Sequence, residues 1–145
     1  MRISTRGEYG VRAMFDLSMH YGKGPIPLKS IAERQVISEH YLEQLMAALR
    51  KAGLVVSKRG AHGGYELAYA PDEIRIGDII RVLEGPITPM ECLDHDGGDG
   101  PYCSQSELCA MRNLWKRLQD SMEEVLDNTT LESLRQDALR LKGDK

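Results

Sequence analysis

Apolar residues in this chain recur at helical spacing, break into two short β-rich runs near the middle, and then return to helical spacing. Tyr9, Ala13, Met14, Leu17 and Tyr21 mark one face of a first helix, about 5–21, stopped by Gly22 and Gly24. Thr5-Arg-Gly-Glu8 fits a capping box at its start, hydroxyl and carboxylate each satisfying an open amide. Pro25-Ile-Pro27 leads into a short second helix, about 28–34, that buries Leu28, Ile31 and Ala32. Gln35-Val-Ile37 leaves no room for a strand before Ser38, which caps a third helix reaching about 52. Ile37 and Leu42 are spaced as a hydrophobic staple, and Tyr41, Leu42, Leu45, Ala48 and Leu49 form the stripe. Gly53 supplies the stop.

Leu54-Val-Val-Ser-Lys-Arg59 and Tyr65-Glu-Leu-Ala68 flank Gly60-Ala-His-Gly-Gly64, two β-rich runs around a glycine turn. Helix, helix, short turn, helix, hairpin is the order of a winged helix-turn-helix, with the hairpin as its wing. Beyond Pro71-Asp72 a helix over about 76–84 buries Ile76, Ile79, Ile80 and Leu83 and stops at Gly85-Pro86. Residues 86–103 read as irregular, and a loop that long in a compact domain is functional or unstructured. Ser104-x-x-Glu107 opens a long helix to about 127, with Met111, Leu114, Trp115, Leu118, Met122, Val125 and Leu126 as its stripe. Thr129-x-x-Glu132 starts a last helix. The expected fold is mainly α with a small β-hairpin. It divides into a DNA-binding region over 1–70, a linking helix and cysteine-bearing loop over 71–103, and two helices over 104–145.

Length and composition, 145 residues at 41% hydrophobic, suit one soluble domain with a helical arm. No apolar run reaches the 18 or so residues of a membrane span, and the start lacks a signal-peptide pattern, so a cytoplasmic protein is expected. The net charge of −3 hides a division: residues 1–65 carry ten Lys/Arg against five Asp/Glu, residues 66–145 nine against seventeen. A basic half joined to an acidic half points to a polyanion on one side only.

In a winged helix-turn-helix the third helix enters the major groove N-terminus first, which puts Ser38, Glu39, His40, Glu43 and Gln44 near base edges. Gln pairs with adenine and Glu accepts from cytosine N4, while Tyr41 reaches a phosphate or belongs to the core. Arg59 on the wing tip, beside Lys58 and His62, suits a narrow minor groove, where negative potential is focused. Arg2, Arg6, Lys29, Arg50 and Lys51 are expected phosphate contacts. The alternative use of such a module is protein docking.

Cys92, Cys103 and Cys109 are the chain's only cysteines. In a reducing compartment clustered thiols act as ligands or redox sensors, and the odd count leaves one unpaired in any disulfide scheme. Cys92-x10-Cys103-x5-Cys109 lacks the short pair of structural zinc sites, whereas iron–sulfur ligands can be spread over an irregular loop. Three readings stand on this chemistry: an iron–sulfur cluster, zinc, or unmetallated redox thiols. Three cysteines leave one position open in a four-ligand site, with His95, Asp94 or a residue from elsewhere to fill it. No nucleophile–base pair, phosphate loop or catalytic carboxylate pair points to an enzyme.

Taken together, Met1-Arg-Ile-Ser-Thr-Arg-Gly, Ile31-Ala-Glu-Arg, Ile37-Ser38, Tyr41-Leu-Glu-Gln-Leu45, Leu49-Arg-Lys-Ala-Gly-Leu54, Arg59-Gly60, Gly63-Gly-Tyr65, the three cysteines and Leu114-Trp115 carry a resemblance. Over about residues 1–135 the chain resembles the BadM/Rrf-type winged helix-turn-helix regulators, in their iron–sulfur-binding IscR/NsrR/RirA-like branch. That resemblance implies a homodimeric transcription factor, paired through its long C-terminal helix on a palindromic DNA operator. It would answer iron–sulfur, iron, redox or nitric oxide status. The family's base-reading segment matches Ser38 to Gln44, and its minor-groove arginine matches Arg59. Where one branch completes the cluster with a histidine, this chain has Arg112. Where another uses an aspartate on the partner's first helix, this chain has Glu8. The expectation is a 4Fe–4S or 2Fe–2S cluster on Cys92, Cys103, Cys109 and the partner's Glu8, with a gap from Cys92 to Cys103 wider than the family's usual spacing.

Overall fold

The chain enters its first helix, α1 (Thr5–Met19), one residue earlier than the capping-box motif predicts. Its N-cap is Ser4, whose hydroxyl accepts from the Gly7 amide at 3.2 Å. The computed structural model describes residues 2–90, 93 and 110–143. The Glu8 amide donates to the Ser4 carbonyl at 2.9 Å, so no box forms between Thr5 and Glu8. α1 also ends short of the expected residue 21, because the His20 amide turns back onto the Leu17 carbonyl and leaves Tyr21 exposed.

α2 (Leu28–Gln35) and α3 (Glu39–Lys51) follow as the periodicity predicts, with the Ser38 hydroxyl accepting from the Tyr41 amide at 3.1 Å. β1 (Val55–Lys58) and β2 (Gly64–Leu67) pair antiparallel, Val55 opposite Leu67 and Lys58 opposite Gly64. Ile26 exchanges two backbone hydrogen bonds with Tyr65, at 2.9 and 2.8 Å, so the chain before α2 lies along the wing like a third strand. That approach needs Gly64: a Cβ there would stand 2.2 Å from the Ile26 carbonyl oxygen. A 3-10 turn at Pro71–Glu73 leads to α4 (Ile76–Glu84), then α5 (Ala110–Asp127) and α6 (Leu131–Gly143).

α1 is the hub, packing against α2, α3, α4, α6 and β2. Met14, Ile31, Leu42, Leu45, Met46 and Leu49 close the core between the first three helices, and Ile74, Ile79 and Leu131 extend it under α4 and α6. Met46 is fully buried although the sequence stripe omits it, while Tyr41 and Ala48 are half-buried. The start of α6 is also offset by one residue, but in the opposite sense, one later than the motif predicts. Thr130, not Thr129, caps it, accepting from the Ser133 amide at 3.1 Å, while the Thr129 hydroxyl donates to the Val125 carbonyl at 2.7 Å. Among the described residues α5 differs from every other α-helix: none of its residues is buried, and Met111 and Val125 are each 65% exposed. The predicted start of that helix at Ser104 lies outside the described residues. No helix among the described residues is long and apolar enough to cross a membrane.

Candidate nucleic-acid interface

α3 has two faces of opposite character. Leu42, Leu45, Met46 and Leu49 are buried, and Ile37, just before the N-cap, is buried in the same core as Leu42. Ser38, Glu39, His40, Glu43 and Gln44 stand exposed on the other face, where His40 and Gln44 approach each other at 3.4 Å. Five short polar side chains on the open end of a helix can present both donors and acceptors to base edges.

The position of α3 is set by a polar network that sequence reasoning missed. Asp16, buried on α1 at 3% exposure, accepts from Arg34 Nε at 2.9 Å, Arg34 Nη2 at 2.8 Å and Gln35 Nε2 at 3.1 Å. The carboxylate holds the Arg34 guanidinium above its ordinary pKa, chiefly through that hydrogen bonding. Arg12, one turn earlier on α1, donates to the Gln35 backbone carbonyl and to its side-chain oxygen. Both anchors therefore grip the last turn of α2, just before the turn into α3. Above them Arg12 lies over the Tyr9 ring at 5.2 Å, and Tyr9 meets Tyr41 edge-on, centroids 5.9 Å apart. Tyr41 is thus half packing residue and half surface. A signal was available for Asp16, which interrupts the apolar face between Ala13 and Leu17 where a solvated charge does not belong.

The tight turn itself carries an unusual backbone. Val36 is 83% exposed and sits in the left-handed region, φ 55 and ψ 52, which β-branched residues rarely adopt. The wing tip presents Lys58, Arg59 and His62, all exposed. Arg50 and Lys51 are exposed at the far end of α3, with Arg50 donating to the Ser57 hydroxyl at 3.4 Å. The recognition face is thus flanked by cations on the wing and at the end of α3. Arg6 is engaged elsewhere, its Nε donating to the Leu83 carbonyl at the end of α4 at 3.0 Å. Arg2 is exposed and lines a groove of about 290 Å³ with Ile3, Glu84, Ile87, Met122 and Leu126.

Glu8 occupies the first turn of α1 with its side chain 61% exposed, and Arg12 Nη1 lies 4.0 Å away. Cys92, Cys103, Cys109, Asp94 and His95 lie outside the described residues. Among the described residues no three His, Cys, Asp or Glu side chains converge as a metal site. Arg112, on the first turn of α5, is half-buried.

Comparison with known proteins agrees with this geometry. The family model Rrf2, described as an iron-dependent transcriptional regulator, matches residues 3–137. The chain is 54% identical over 134 residues to the HTH-type transcriptional regulator CymR of Bacillus subtilis, covering 92% of this chain and 89% of that protein. A solved structure of CymR, titled the global cysteine regulator of B. subtilis, superposes with a TM-score of 0.79 at 52% identity, over 94% of this chain and 97% of that one. T. potens IscR gives a TM-score of 0.77 at 50% identity, over 95% of this chain and 88% of the other. The curated relatives are named transcriptional regulators rather than enzymes. With its exposed polar face on α3, basic wing and a family match over residues 3–137, the chain belongs to the Rrf2 family of winged-helix, DNA-binding transcriptional regulators.

Proposed function

We propose that the protein is a homodimeric regulator of a palindromic operator whose DNA affinity follows an iron–sulfur cluster. α3 enters the major groove with Ser38, His40, Glu43 and Gln44 toward the bases, and Arg59 reaches the minor groove from the wing. Tyr41, Arg2, Arg50 and Lys51 serve the phosphates. The apolar face of α5, exposed in the single subunit, pairs with its copy. Cys92, Cys103 and Cys109 hold the cluster, and Glu8 of the partner subunit completes it. A bound cluster supplies a centre that reacts with oxygen, iron limitation or nitric oxide.

The observation that carries the ligand assignment is the state of Glu8. Its carboxylate takes no part in capping α1, a task Ser4 performs, and it projects 61% exposed beside Arg12. Arg12 in turn holds the end of α2, so an event at Glu8 is two contacts from the turn into α3. A switch of this kind works only if the cluster is held with different affinity in the two arrangements of the helices.

A second reading has its own support, since the relative at 54% identity is a CymR and a solved CymR is titled a cysteine regulator. In that reading the three thiols act without metal, as a redox switch. The experiment that separates them is operator binding by anaerobically isolated protein, using duplexes selected from a random pool. The cluster reading expects affinity to change on exposure to nitric oxide with the visible absorbance bleaching in step. Metal-free protein that binds the same duplex and loses it only on thiol oxidation or alkylation overturns the cluster reading in favour of the thiol switch.

A further inference from the structure

Beside the packing of Met122 and Leu126, polar contacts join α5 to the rest of the subunit. At the corner between α5 and α6, the Ile76 amide donates to the Thr129 carbonyl at 2.8 Å and the Leu131 amide to the Ile74 carbonyl at 3.0 Å. Two backbone hydrogen bonds at one corner fix a position and leave a direction open, like a pin. The direction is fixed one turn away. Arg81 on α4 donates to both carboxylate oxygens of Asp127, at 2.7 and 2.8 Å, and its Nη2 lies 3.6 Å from Glu123 on the preceding turn. One planar guanidinium thereby grips two successive turns of α5, a geometry that resists rotation as a point charge would not.

α4 is built to admit this clamp. Gly77 lies under it, and a Cβ there would stand 2.0 Å from Asp127 Oδ1 and 2.9 Å from Arg81 Nη1. Glycine is a weaker helix former than alanine, so the gap is kept against local preference. Beyond the clamp the grip fades: Met122 and Leu126 touch the core, while Leu114 is 45% and Met111 65% exposed. Among the described residues, α5 is a lever held toward its C-terminal end.

We infer that Arg81, Asp127 and Gly77 position the dimerisation helix relative to the recognition helix, and so set the half-site spacing of the operator. The inference rests on the reading above that α5 pairs the two subunits. The magnitudes are adequate for the task. A helix of eighteen residues is about 27 Å long, so a rotation of about 7° at the clamp moves its far end by about 3.4 Å. That displacement is about the rise of one base pair, and half-site spacing in dimeric helix-turn-helix proteins is fixed by such geometry.

The test is selection of duplexes carrying two inverted half-sites at every separation, read for the wild type, Arg81→Gln, Arg81→Lys and Gly77→Ala. Sedimentation on the same samples reports the dimer. The wild type should prefer one separation over its neighbours by about tenfold, and Arg81→Gln and Gly77→Ala should flatten that to about threefold or less while remaining dimeric. Arg81→Lys, which keeps the charge but not the fork, should fall between them. Gly77→Ala removes no charge yet displaces the carboxylate, so it separates the geometry of the clamp from its charge, and denaturant unfolding of each variant reports any general loss of stability. Variants that bind more weakly at every separation, yet keep the wild-type preference, would overturn the positioning role and leave the dimer reading intact. Wild-type protein that is monomeric on a single half-site would overturn both.

Discussion

Arg34 reaches from α2 to clasp the buried carboxylate of Asp16 on α1 through two hydrogen bonds, at 2.9 and 2.8 Å. The pair is unequal: the Asp16 side chain is 2% exposed and that of Arg34 40%. Removing the arginine strands a buried charge, whereas removing the carboxylate releases a cation that can reach water. Arg34→Met should therefore destabilise the protein by about 3 kcal/mol, and the double variant with Asp16→Asn should recover part of that loss. Denaturant unfolding of the two single variants and the double variant checks this. A double variant as unstable as the sum of the singles would show that no stranded charge was involved.

Val36 stands at the centre of the helix-turn-helix in the left-handed region, φ 55, with 83% of its surface exposed. Such a residue loses about 1–2 kcal/mol to the clash of its Cβ and makes little contact to offset it. Val36→Gly relieves the clash but frees the unfolded chain, so a net gain of about 0.5–1 kcal/mol is expected. The midpoint of denaturant unfolding should rise with the slope unchanged. A lower midpoint would mean that the exposed side chain makes a stabilising contact.

The caps of α1 and α6 give a third test, because the sequence offers two adjacent hydroxyls at each. Ser4→Ala should cost about 1 kcal/mol and Thr5→Ala only a few tenths, with Thr130 and Thr129 following the same order. Thermal unfolding of the four variants decides it, and equal losses at Ser4 and Thr5 would contradict the assigned caps.

These caps show where the sequence was readable and where it was not. α4 and the Ser38 start of α3 follow from periodicity and a single suitable hydroxyl. At Ser4-Thr5 and Thr129-Thr130 the motif favours the residue with a glutamate three positions on, yet geometry uses its neighbour. Local spacing cannot see which hydroxyl the helix axis presents to the open amide. The exposed polar face of α3 was legible because burial of one stripe exposes the other. Asp16 stood out only as a charge on an apolar face, and its partners Arg34 and Gln35, with Arg12 beside them, could not be read, since those contacts arise where helices meet. Likewise the Arg81–Asp127 clamp joins residues 46 apart in sequence, which no periodicity connects.

That clamp also predicts an acid response. Hydrogen bonding to Arg81 holds the Asp127 carboxyl below its ordinary value. A carboxyl depressed in the folded state contributes stability that is complete above its unfolded value and is lost as the pH falls through its folded one. Wild type should therefore exceed Asp127→Asn in stability near neutrality, and the two should converge in strong acid. Both side chains are partly solvent-exposed, so the gap should narrow with added salt. A gap that is constant across the acid range would assign the effect of the substitution to packing.

The account turns most directly on whether iron sits among the three thiols. A Mössbauer spectrum of protein isolated without oxygen from cells grown on isotopically enriched iron reads this in one measurement. The expected result is the quadrupole doublet of an iron–sulfur cluster at about one cluster per subunit, retained in the wild type and depleted in Glu8→Ala of unchanged helicity. Iron-free protein, with zinc or empty thiols at Cys92, Cys103 and Cys109 and full operator binding, would contradict it.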